Sequence, residues 1–142
     1  MKYSILFLFA ITFLGSTTFA QDCEKIVKAC EGYLTGSKGK ARFVSDGQVY
    51  TAFLDREKAE FKTTFFGGST YRIAASAGTD DEYVIFTVKD LKGNVLFSNR
   101  NYKNAPYCDF KVPKTIPVVI ETELDLDKKV TGCAVMLIGF KQ

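Results

Sequence analysis

The sequence predicts a mainly β protein: an antiparallel β-sandwich of the jelly-roll kind, of about eight strands, with one N-terminal amphipathic helix packed on it. Three observations carry this prediction. From Gly47 onward, apolar residues recur with period two. Clusters of turn-forming residues break that pattern at short, even intervals. A single segment, near the start, shows the three-and-four spacing of a helix instead.

The elements follow in chain order. MKYSILFLFAITFLGSTTFA opens with Lys2, continues through an apolar run from Ile5 to Leu14, and closes with small residues at Thr18 and Ala20. These are the three parts of a secretory signal peptide, expected over residues 1–20 with cleavage after Ala20. The apolar run is too short to span a bilayer core of ~30 Å as a helix, and no other run is longer, so no membrane span is expected after its removal. Asp22 and Ala20 stand where a lipid-anchor motif at Cys23 would need a small residue and a leucine-like one, so no such anchor is expected.

In QDCEKIVKACEGYL the residues Ile26, Val27, Cys30, Tyr33 and Leu34 define one apolar helical stripe, predicting a helix over 22–34 with Asp22 as N-cap and Gly36 as stop. Residues 21–46 are thus helix and connector, and 47–142 the sandwich, all one domain. Strands are predicted at 48–54, 58–66, 70–76, 83–89, 95–99, 107–112, 116–124 and 133–140. Most alternate, as half-buried strands do. YVIFTV and CAVMLIGF are apolar on both faces and are expected centrally or under the helix. Lys92-Gly93-Asn94 ties two strong runs into a hairpin. Pro113 and Pro117 fall at strand limits, where a missing N–H is tolerated.

The pieces SDGQVYTAFL, AEFKTTFFGGSTYRIAA, GNVLFSN, APYCDF and GCAVMLIGFK together resemble a family of small secreted bacterial proteins with no assigned activity. The likeness spans nearly the whole chain after residue 20. It departs at Cys108, where that family carries an aromatic. The layout is more loosely similar to pre-peptidase C-terminal domains and carbohydrate-binding sandwiches. What these resemblances imply is a fold and a non-catalytic role, with no functional residue carried over.

Composition excludes much chemistry. The chain has no histidine, which removes the usual general base, the usual metal ligand and every Ser-His-Asp or Cys-His arrangement. There is no P-loop, no GxGxxG and no HExxH. Without residues 1–20 the charge is 18 basic minus 16 acidic, or +2, which gives no electrostatic reason to bind nucleic acid. The KGKAR run, Lys38 to Arg42, reads as a solvated loop.

Two acidic groups remain. Asp80, Asp81 and Glu82 follow a glycine and read as a loop tip, because consecutive residues of an extended chain point to opposite sides. Glu121, Glu123, Asp125 and Asp127 recur at spacing two, so on a strand they share one face, read as the solvent face of an outer strand. A calcium site or a two-carboxylate hydrolase is the rival reading of that face. The expectation is no enzyme, no metal and no cofactor.

The polar segment SNRNYKNAPY is the expected binding surface, with Arg100, Tyr102 and Tyr107 as its ligand-contacting residues and a glycan or an envelope protein as its partner. A secreted or periplasmic binding module is therefore the leading reading, and a structural envelope component the alternative. The even count of four cysteines in an exported chain predicts two disulfides. Cys23 and Cys30 stand about 10.5 Å apart along a helix, too far to join each other. Each is expected to bridge to one of the strand cysteines, Cys108 or Cys133, with the pairing left open.

Overall fold

The computed structural model describes residues 18–36, 43–78 and 84–141. Most of the expected signal peptide, the Lys38–Arg42 run and the Asp80–Glu82 group lie outside these residues.

The helix α1 (Thr18–Thr35) begins four residues before the expected N-cap. Thr18 to Gln21 contain no glycine or proline to stop it. At its other end Gly36 takes φ 76° and returns its N–H to the Gly32 carbonyl at 3.0 Å, an αL cap that favours glycine.

Among the described residues, nine strands make two antiparallel sheets. In chain order they are β1 (Val44–Ser45), β2 (Tyr50–Asp55), β3 (Ala59–Phe65), β4 (Thr70–Ser76), β5 (Val84–Asp90), β6 (Val95–Ser98), β7 (Tyr107–Lys111), β8 (Ile116–Leu124) and β9 (Thr131–Lys141). One sheet has the order β1-β9-β4-β7, with β2 also paired along β9; the other has the order β3-β8-β5-β6. From β2 the chain crosses between the sheets at each step except the β5–β6 hairpin. That is the jelly-roll arrangement. The eight predicted strands all form, and the two-residue β1 is the addition, too short to show a period.

Phe65, Phe86, Ile73, Val118, Ile120 and Met136 belong to the core between the sheets. A second apolar layer lies outside the first sheet. There Ile26, Cys30 and Leu34 of α1 pack on Ala74, Val135 and Leu137. This layer explains why β4 is buried along both faces, where alternation predicted one wet face. Arg72, on the face toward the helix, is only 6 % exposed.

One disulfide forms, Cys23–Cys133, with Cα atoms 5.8 Å apart, joining α1 to β9. The second expected bridge does not form: neither Cys30 nor Cys108 is in a disulfide. The reason is the side of the sheet. Cys30 lies in the layer under the helix, where its thiol donates to the Ala74 carbonyl at 3.1 Å. Cys108 stands opposite Ile73 in the register and packs on the inter-sheet core. Its neighbours Tyr107 and Asp109 face the helix side instead, against Tyr33 and Arg72. A sheet separates the two thiols.

Where β6 ends, the chain needs a substitute for ladder hydrogen bonds. Asn99, fully buried at the start of a 3₁₀ turn (Asn99–Tyr102), supplies it. Its side chain accepts from the Phe86 N–H at 2.9 Å and donates to the carbonyls of Val84 (2.9 Å) and Ala105 (3.1 Å). Satisfying three buried backbone groups anchors the whole 98–107 segment.

Candidate functional site

The acidic stripe on β8 is committed to protein cations. Glu121 takes Lys58 at 2.8 Å and Lys89 at 2.7 Å, and Glu123 takes Lys58 at 3.2 Å and Arg100 at 2.7 Å. Hydrogen bonds from Lys58 and then Lys89 hold the Glu121 carboxyl below its ordinary range. The shared face ends there, because β8 stops at Leu124. Asp125 instead accepts from the Asn104 amide at 2.8 Å and from the Asp127 N–H at 3.2 Å, closing the β8–β9 turn. Among the described residues, no three acids or cysteines stand together as a metal site would require.

The residues predicted to contact a ligand stand against different neighbours. Arg100 is paired with Glu123. Tyr107 lies flat against Tyr33 of α1, ring centroids 6.3 Å apart. The Arg72 guanidinium is held between the Tyr107 and Phe43 rings, 4.4 Å from each centroid. The same guanidinium donates to both Asp109 carboxylate oxygens, at 2.6 and 2.9 Å, and to the Tyr33 carbonyl at 2.9 Å. Tyr107 therefore belongs to the clasp between helix and sheet. Tyr102, 62 % exposed, lies parallel to Phe97 at 5.6 Å.

Two clefts open between the sheets, one on each side of the sandwich. The first, about 390 Å³, is at the corner where β2 and the turn before it meet the end of β3 and the β9 terminus. Tyr71 and Phe140, 6.1 Å apart, contribute its aromatic wall, and Tyr50 meets Phe61 edge-on at 5.4 Å. Gly47 takes φ 84°, turning the chain so that Asp46 faces Tyr50. The Tyr50 hydroxyl donates to Asp46 at 3.1 Å, and the other Asp46 oxygen accepts from the Gln48 N–H at 2.9 Å. Burial first, and the Asp46 charge second, push the Tyr50 phenol above its ordinary value, so it stays a neutral donor. Among the described residues, the Gln48 amide and the Thr64 and Ser69 hydroxyls on the rim make no hydrogen bond within the protein. No local pattern in the sequence signals this cleft, since its walls come from four separate segments of chain.

The second cleft, about 440 Å³, lies on the opposite side, between β6 and β7. Phe97 and Phe110, 6.3 Å apart and nearly parallel, continue inward the row that begins at Tyr102. Phe65 and aliphatic side chains complete its surroundings, apart from Lys111, Lys114 and Thr115 on one lip.

Compared with protein-family models and with curated proteins, the chain matches none.

Proposed function

We propose that this protein is an extracytoplasmic, non-enzymatic binding module whose corner cleft takes a neutral sugar unit of a glycan. The observation that carries the reading is the uncommitted Gln48, Thr64 and Ser69 groups beside an aromatic wall. Directed amide and hydroxyl groups next to an aromatic ring suit a sugar, which presents hydroxyls on its edge and C–H groups on its face. The Cys23–Cys133 bridge supports export, because reducing compartments do not preserve such bonds. The signal-peptide pattern of residues 1–20 points the same way. A hydrolase would need a free carboxylate pair, and Glu121 and Glu123 are each held by two cations.

The test is a glycan-array screen of the purified protein beside the Gln48→Ala, Thr64→Ala double variant. Both changes are at exposed positions outside the core, so the fold should survive them. The reading expects glycan binding that weakens about tenfold or more in the variant. No glycan bound, or equal binding by both proteins, overturns it in favour of a structural envelope component.

A further inference from the structure

We infer that the second cleft, between β6 and β7, is a separate binding site for a free fatty acid, with the alkyl chain inside and the carboxylate on the lysine lip. Four features lead there. The interior is apolar: Phe65, Val88 and Val112 are core residues, and Phe97, Phe110 and Ile116 pack against them. The volume of about 440 Å³ lies in the range of small-molecule sites rather than of packing defects. The mouth is apolar too, since Leu96 is 49 % exposed at the edge of its sheet.

The fourth feature is charge. Lys111 and Lys114 are exposed; among the described residues they are the only charged ones lining this cleft, and neither forms an ion pair. Lys58, Lys89, Arg72 and Arg100, by contrast, are all neutralised by acids. Two unneutralised cations on one side of an apolar cleft complement a ligand with an apolar body and one anionic end. A neutral sugar would leave the interior unsatisfied, and a cationic amphiphile would meet like charge at the lip. Phe65 lines both clefts, but Leu96 and the lysine lip belong to this one and Gln48, Thr64 and Ser69 to the corner, so each has its own variants and either can fail without the other.

The experiment is isothermal titration of the delipidated protein with octanoate, decanoate and dodecanoate below their micelle concentrations, beside dodecanol and dodecyltrimethylammonium. One-to-one binding is expected, strengthening about fourfold per added methylene until the cleft is filled. Dodecanol should bind about tenfold more weakly, and the cationic amphiphile more weakly still. The Lys111→Glu, Lys114→Glu double variant should lose about tenfold for dodecanoate and little for dodecanol. Leu96→Asp, at an exposed position, should weaken all the chains. No dodecanoate binding, or binding that neither variant changes, overturns the site. Binding to anionic phosphatidylglycerol vesicles without binding to monomeric dodecanoate also overturns it, in favour of a membrane surface.

Discussion

A guanidinium is tolerated at position 72 because each of its faces is occupied. Asp109 takes two N–H groups, the Tyr33 carbonyl takes a third, and the Phe43 and Tyr107 rings cover both flat sides. An arginine that is mostly buried needs this full set, since a buried charge with one partner missing is strongly destabilising. Glu121 is the same idea at the surface, one carboxylate between two lysines. Its effect on stability has a definite sign. The folded-state carboxyl titrates below its ordinary value, so its contribution is present above about pH 4.3 and is lost as pH falls through the depressed value. Urea midpoints measured from pH 7 down to pH 3 should therefore fall more steeply below about pH 4.3 in the native protein than in Glu121→Gln. The variant should also be the less stable at neutral pH, since Lys89 loses its carboxylate and Lys58 keeps only Glu123. Parallel curves for the two proteins would remove Glu121 from the acid limb.

At the scale of the elements, α1 is held to the sandwich by the Arg72 stack, the Cys23–Cys133 bridge and an apolar stripe. The bridge closes a loop with a sequence separation of 110. Long loops of this kind restrict the unfolded chain most, so replacing both cysteines by serine should cost about 2–5 kcal/mol in urea denaturation. Non-reducing peptide mapping should recover Cys23 joined to Cys133. Alkylation of the native protein should mark Cys108 and spare Cys30, which is fully buried, until unfolding. A Cys30–Cys108 peptide would contradict the sheet that separates them. Period two placed all eight longer strands within a few residues, because alternation is a local consequence of one wet face. It failed to show that β4 has no wet face, since α1 covers the second one. The cysteine pairing was lost for the same reason: four candidates were legible, but not which side of the sheet each would take.

At the scale of the whole molecule, the jelly-roll crossings leave two open sides, and each side carries a cleft of different chemistry. Asp46, Thr63 and Phe140 meet at one corner, and Phe97 and Lys114 at the other, from segments too far apart in sequence for any local pattern to join. The segment 98–107, by contrast, drew notice through its amides and tyrosines, most of which anchor the turn or clasp the helix. Sugar binding at the polar corner can be read by amide chemical-shift mapping of the isotopically labelled protein, titrated with neutral oligosaccharides. Saturable shifts should cluster at residues 46–50, 63–66 and 138–140. Saturable shifts confined to residues 98–107, or none at millimolar sugar, would contradict it.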